Sequence, residues 1–255
     1  MADLKMTERN ERTCFEDLEL HFGRRQQLIQ EIDKELKLPL GIKNTVYAAF
    51  NKVPRHFFMK KIHEKKAYNN AAFEIDAGQT ISKPTTVIYQ THLLQLTPKD
   101  KVLEIGTGSG FQTCILAELA NQIYTVERQK QLFDNLKDMF EHQPFRFLNE
   151  PHSTILKKRF FNIHFKWGDG LNFGFEQAAP FDKILITCAA PNIVEPLVKQ
   201  LKINGIMVLP IDEDMKDSAH KQRMTRITKL ANGELNIEKL TGFTFVPFIE
   251  GKQAT

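Results

Sequence analysis

The sequence predicts an α/β fold: a doubly wound, mostly parallel sheet with antiparallel strands at the C-terminal end and helices before it. Three observations carry that expectation. Val102, Leu103 and Ile105, interrupted by Glu104, form a short apolar run that ends in Gly106, Gly108 and Gly110 and leads into the helical pattern Gln112–Leu119. Such an order reads as strand, glycine turn, helix. Strand and helix patterns then alternate as far as Pro210. Beyond it, Arg223–Leu230 and Glu234–Leu240 alternate apolar and polar residues on either side of Asn232-Gly233, the pattern of an antiparallel hairpin.

Taken in order, residues 1–23 are charged and aperiodic and read as a loosely ordered arm. From Arg24, Leu28, Ile29, Ile32 and Leu36 recur at helical spacing until Pro39 breaks the pattern, and a second short helix covers about Asn44–Asn51. Val53–Phe58 (VPRHFF) turns at Pro54, with His56 read as a structural histidine among apolar neighbours. Ala67–Ile81 reads as irregular chain. Ser82 is placed to cap a helix whose first turn holds Pro84, and a hydroxyl at a helix start also lies in a field that favours an anion.

After the glycine turn, Gln122–Val126 is a strand ending at Glu127, followed by a helix over about Arg128–Phe140. Glu141–Phe160 carries two prolines and a basic end, and it is longer than a usual connection, so it is read as an excursion from the core. Phe161–Trp167 is the next strand, ending in Gly168, Asp169 and Gly170. Phe181–Pro191 holds a buried-type strand, Val194–Leu201 a helix and Gly205–Pro210 the fifth strand. Asp212–Lys221 is a charged loop, and Phe243–Phe248 a last apolar strand with Pro247 suited to an edge.

A length of 255 residues with 42% hydrophobic content suits a single domain. Its parts are the arm (1–23), an N-terminal helical and substrate-side segment (24–96) and a cofactor-binding core (97–255) with its excursion at 141–160. No apolar run approaches a membrane span, and the opening residues MADLKMTERNER are charged where a signal peptide needs an apolar centre, so a cytoplasmic protein is expected. Cys14, Cys114 and Cys188 form no C-x-x-C and have no histidine at ligand spacing, which argues against disulfides and against a metal. The net charge of +4 comes from basic residues interspersed with acids, so no nucleic-acid partner is expected.

Glu104, Glu127 and Asp169 each fall at or near the carboxyl end of an expected parallel strand, the edge where open α/β sheets bind ligands. Glu127 suits the two hydroxyls of a ribose, Asp169 can accept from an adenine amino group, and the glycine turn lets a charged amino-acid tail approach the backbone. A dinucleotide loop needs a small residue in its sixth place, where this chain has Phe111. S-adenosyl-L-methionine has those three parts and no phosphate.

The strings VPRHFF, AYNN, AGQTISKP, VLEIGTGSG, YTVER, GDG, AAP and LPI, over Arg24–Phe248, resemble in order and spacing the protein-L-isoaspartate O-methyltransferase family. The resemblance implies a class I S-adenosylmethionine-dependent methyltransferase fold, Rossmann-like. It implies S-adenosyl-L-methionine as donor and, as acceptor, the free α-carboxylate of L-isoaspartyl residues in damaged proteins and peptides, whose methylation begins repair. By motif, Gln79, Thr80, Ile81 and Ser82 line the place where cofactor and peptide meet, with Ser82 the catalytic residue. Gly106, Thr107, Gly108, Ser109 and Gly110, with Glu104, Glu127 and Arg128, hold the methionine and ribose parts; Asp169 and Gly170 lie by the adenine. The protein is expected to act as a monomer. Where relatives read A-Y-x-D and P-I-G, this chain has Asn70, Glu74 and Asp76, adding acid near a carboxylate site. Two other readings stay open at this point: the same fold methylating RNA or a small molecule, and a non-catalytic module that binds S-adenosyl-L-methionine.

Overall fold

In the computed structural model, which describes residues 20–142, 162–212, 222–243 and 253, the chain is helical over 20–36 (α1). Leu28 and Ile32, one turn apart, are buried as the helical period predicts. Helical conformation already holds at Leu20, so the end of the expected arm belongs to α1, while residues 1–19 lie outside the described residues. Lys37 takes a positive φ of 49°, which ends α1. Pro39 then starts α2 (Leu40–Lys52) four residues ahead of the expected Asn44.

Two 3-10 turns follow, Arg55–Phe58 and Lys61–Lys66. The stretch read as irregular contains a small antiparallel hairpin, β1 (Phe73–Glu74) and β2 (Thr80–Ile81), reversing through Ala77 and Gly78 at φ 55° and 64°. Strands of two residues are too short to show a period. The α3 helix (Pro84–Leu93) begins with Pro84 in its first turn, as expected.

The main sheet contains β3 (Lys101–Ile105), β4 (Gln122–Glu127), β5 (Ile163–Trp167), β6 (Phe181–Ile186), β7 (Leu201–Asp212), β8 (Gln222–Lys229) and β9 (Leu235–Phe243). Its order is β5-β4-β3-β6-β7-β8-β9. The first five strands are parallel, and β8 and β9 are antiparallel. The connecting helices are α4 (Phe111–Leu119), α5 (Lys130–His142), α6 (Gly170–Phe173) and α7 (Glu195–Gln200). All of β3 beyond Lys101 is buried, because helices cover both faces of a parallel sheet. The chain leaves β3 toward β4 on one side and returns to β6 on the other, which makes the end of β3 the switch point where such sheets bind ligands.

The β7 strand is longer than the expected Gly205–Pro210: it starts at Leu201, placed in the expected helix Val194–Leu201 but paired with Phe181 of β6, and its antiparallel pairing with β8 runs on to Asp212↔Gln222. Asp212, read as the start of a charged loop, therefore belongs to a strand. The remainder of that loop (213–221), most of the excursion (143–160) and residues 244–248 of the last apolar stretch lie outside the described residues, whereas Phe243, expected to begin that stretch, ends β9. One hydrophobic cluster joins the N-terminal helices to α3 and α4 through Phe50, Phe58 and Phe111. Phe50 and Phe111 meet edge to face with centroids 5.6 Å apart. Burial of each such ring contributes roughly 2 kcal/mol, so the helical segment is held to the sheet through the first residue of α4. Among the described residues no helix is long and apolar enough to cross a membrane.

Candidate active site

The turn after β3 needs glycine at three alternate positions, because Gly106, Gly108 and Gly110 all have positive φ, 91°, 56° and 82°. Gly106 has a second reason: a Cβ there would overlap Thr187 Oγ1. Thr187, just beyond β6, is a residue the motifs did not single out. Its amide donates to Ile105 O at 3.0 Å, and its hydroxyl lies 2.9 and 2.7 Å from the carbonyl oxygens of Ile105 and Gly106. On the other flank Gly106 N donates to Val126 O at 2.9 Å. The turn is thus pinned to both neighbouring strands.

Glu127, the last residue of β4, uses both carboxylate oxygens on backbone amides. Oε2 accepts from Gly108 N and Oε1 from Gln129 N, each at 2.8 Å. Burial pushes its pKa up, and the amides of Gln129, Gly108 and Arg128 oppose that rise by favouring the anion. Three amides on the four acceptor sites of a carboxylate leave room for a hydroxyl donor. Arg128 follows directly, and its carbonyl accepts from Trp167 Nε1 at 3.0 Å.

Glu104 is placed differently from the expectation. Its carboxyl is fully buried; Oε2 accepts from Thr113 Oγ1 at 2.5 Å and Thr125 Oγ1 at 2.7 Å, and Oε1 has no partner among the described residues. Sealed between β3, β4 and α4, it braces the turn instead of touching a ligand. Burial lifts its pKa to about 8 against the lowering effect of the two threonines, so at neutral pH it is mostly protonated. Thr107 joins the same network, its hydroxyl 2.6 Å from that of Thr125.

Ser109 Oγ accepts a long bond of 3.4 Å from Phe111 N. Asp169 stands two residues past β5 and caps α6, accepting from Asn172 N at 3.2 Å and Asn172 Nδ2 at 2.9 Å. Gly170 follows because a Cβ would fall 2.6 Å from Ile105 Cγ2. Glu127 and Trp167 are register partners on β4 and β5, so Glu127, Asp169 and the glycine turn occupy one end of the sheet.

The β1–β2 hairpin sits on that end. Ile75 Cδ1 lies 3.8 Å from a Cβ built on Gly108, and Asp76 Oδ2 accepts from Asn135 Nδ2 of α5 at 3.0 Å. Gln79, Thr80, Ile81 and Ser82 form the returning side of this hairpin; Thr80 is exposed, Ile81 buried, and Gln79 and Ser82 half-buried. Ser82 is not the helix cap. Lys83 takes the N-cap position without a side-chain bond, and the free amide of Thr85 is instead accepted by Asn70 Oδ1 at 3.1 Å. Asn70 Oδ1 also accepts from Thr85 Oγ1 at 2.9 Å, and Asn70 Nδ2 donates to Glu35 at 3.3 Å. The acids of the hairpin have a local counter-charge, since Lys60 Nζ lies 3.0 Å from Glu74 and 3.5 Å from Asp76.

His56 is structural, as read: it is buried, its Nδ1 lies 2.9 Å from Tyr68 Oη, and burial holds its pKa down near 3. Cys114 is buried, and burial, with Glu127 nearby, keeps the Cys188 thiol up at about 12, so neither is a thiolate.

A parallel sheet entered at a glycine turn, an acid clamped to that turn from the next strand, a second acid beyond the third, and an antiparallel C-terminal pair are the features of class I S-adenosylmethionine-dependent methyltransferases. The fold matches a solved protein-L-isoaspartate O-methyltransferase structure from Plasmodium falciparum, in complex with S-adenosyl-L-homocysteine, at a TM-score of 0.68 and 23% identity, over 88% of this chain and 97% of that one. Sequence comparison is more specific. The chain belongs to the protein-L-isoaspartate(D-aspartate) O-methyltransferase family, whose model matches residues 24–253. It is 39% identical to the protein-L-isoaspartate O-methyltransferase of Flavobacterium johnsoniae over 92% of this chain and 99% of that protein. It is 42% identical to that of Dictyoglomus thermophilum over 88% of this chain and 90% of that protein.

Proposed function

We propose that the protein transfers a methyl group from S-adenosyl-L-methionine to the free α-carboxylate of L-isoaspartyl residues in damaged proteins and peptides. The observation that carries this reading is the seating of the Gln79–Ser82 hairpin on the glycine turn, through Ile75 against Gly108. Family membership supports the donor and the acceptor.

The donor set fits the cofactor. Gly106 and Gly108, half-buried, offer backbone to the methionine portion with Gly110 completing the turn, Glu127 retains acceptor capacity for ribose hydroxyls, and Asp169 with Gly170 borders the adenine. Phe111 is committed to the core, where a phosphate-binding turn would need a small residue. Bound there, the sulfonium supplies an electrophilic methyl.

The acceptor needs no base, since an α-carboxyl with a pKa near 3.5 is ionised at neutral pH. What the protein must supply is alignment of a carboxylate oxygen with the methyl carbon at roughly 3 Å, together with exclusion of water. Ser82 orients the carboxylate by one hydrogen bond, and Thr80 and Ile81 present the strand against which the peptide lies. A nucleophilic serine is not required, because the acceptor oxygen itself attacks. The chain works as one domain, as a cytoplasmic monomer, without nucleic acid. Methyl esters of isoaspartyl peptides release methanol in mild alkali; methanol from an incubated isoaspartyl peptide, and none from its aspartyl counterpart, is the expected result, and equal release from both would reject the reading.

A further inference from the structure

Arg55 is completely buried, with no carboxylate beside it among the described residues. Its Nη2 donates to Ala71 O at 3.1 Å, and its guanidinium carbon lies 5.3 Å from the centroid of the Phe111 ring. Nε and Nη1 have no hydrogen-bond partner among the described residues. Burial lowers its pKa to about 9, so it remains a cation at neutral pH. An enclosed cation with unmade hydrogen bonds is costly, and an apolar side chain would fill the space at lower cost. Such a group calls for an explanation.

Position supplies one. Ala71 follows Asn70, which holds the first turn of α3 through Thr85, three residues beyond Ser82. Phe111 is the first residue of α4 and follows Gly110 of the turn. A single side chain therefore touches the acceptor side through a hydrogen bond and the donor side through an aromatic face. A planar cation can make both contacts at once, donating in its plane and presenting its face to the ring.

We infer that Arg55 is a positioning residue that couples the two halves of the site, so that ordering of the glycine turn is passed to residues 69–71 and the head of α3. This inference rests on the proposed reading only in taking Gln79–Ser82 as the acceptor side.

Hydrogen exchange with and without S-adenosyl-L-homocysteine tests it. In the unaltered protein the ligand should slow exchange at 106–113 and also at 69–71 and 80–86. In Arg55→Met the slowing at 106–113 should persist, with ligand affinity changed less than about threefold, while the slowing at 69–71 and 80–86 falls at least fivefold. With both substrates saturating, kcat should fall at least tenfold. Phe111→Leu keeps the bond to Ala71 and removes the aromatic face; it should lose the same remote slowing, and it decides the matter if Arg55→Met does not fold. Remote slowing that survives in a folded variant, or that is absent from the unaltered protein, would overturn the inference. An unaltered protein that methylates no isoaspartyl peptide defeats the functional reading, whereas the exchange comparison still decides the role of Arg55.

Discussion

Glu127 Oε2 lies 2.8 Å from the amide nitrogen of Gly108, and this bond fixes the second glycine of the turn to the end of the neighbouring strand. The same carboxylate faces the place proposed for the ribose. Removing it therefore releases the turn and deletes a ligand contact together. Glu127→Ala should weaken S-adenosyl-L-homocysteine binding at least tenfold, about 1.4 kcal/mol. Glu127→Gln, which keeps one acceptor oxygen, should fall between. Trp167, the only tryptophan and the register partner of Glu127, allows binding to be followed by its fluorescence. Unchanged affinity in Glu127→Ala would remove this residue from the cofactor site.

Glu104 gives a pH dependence of known sign. Its pKa, about 8 in the folded protein, lies above the ordinary value of 4.5. Between these values the unfolded chain loses the proton while the folded one keeps it, so the contribution is complete below pH 4.5 and is lost as pH rises through 8. Glu104→Gln mimics the protonated acid, with its amide oxygen accepting from Thr113 and Thr125. Denaturation curves should show the variant gaining on the unaltered protein between pH 5 and pH 8, by as much as a few kcal/mol. A constant difference across that range would contradict the assignment.

Asn70 donates to Glu35 and accepts from Thr85, so the two ends of its amide do different work. Asn70→Asp keeps the acceptor at the helix start but sets a carboxylate against Glu35. In that background Glu35→Gln should stabilise the protein, whereas alone it should not, with a coupling of about 0.5–1 kcal/mol. A denaturant double-mutant cycle measures it, and additive effects would show that the Asn70–Glu35 contact is immaterial.

Ser82→Ala removes one hydrogen bond to a charged acceptor, an interaction of about 1.5–3 kcal/mol. Turnover should fall roughly 10- to 100-fold while S-adenosyl-L-homocysteine affinity stays nearly intact. Steady-state kinetics beside a binding titration separates the two, and full turnover in the variant would exclude Ser82 from the mechanism.

The sheet was readable in the sequence because its strands are long enough to show a pattern. The glycine turn, the acid at the end of β4 and the Asn232-Gly233 hairpin all lie where their local chemistry puts them. The acceptor side was harder. Two-residue strands leave no period, and the amide that serves α3 comes from Asn70, fifteen positions before Thr85, which no local capping rule anticipates. Ser82 reads as a cap because Pro84, two residues on, suits a first helical turn, yet the helix starts one residue later, with Lys83 at the N-cap. Glu104 shows a related limit: strand alternation gives the side it faces, but not that Thr113 and Thr125 close over it. Thr187 carries no motif, and only the close approach of Gly106 reveals it.

The central claim is that the acceptor is an isoaspartyl carboxylate. Transfer of labelled methyl from S-adenosyl-L-methionine to a matched pair of peptides, identical except for an isoaspartyl or an aspartyl linkage, tests it most directly. The expected result is label in the isoaspartyl peptide alone, as a base-labile ester. Label in both peptides, or in neither while S-adenosyl-L-homocysteine still binds, would contradict it.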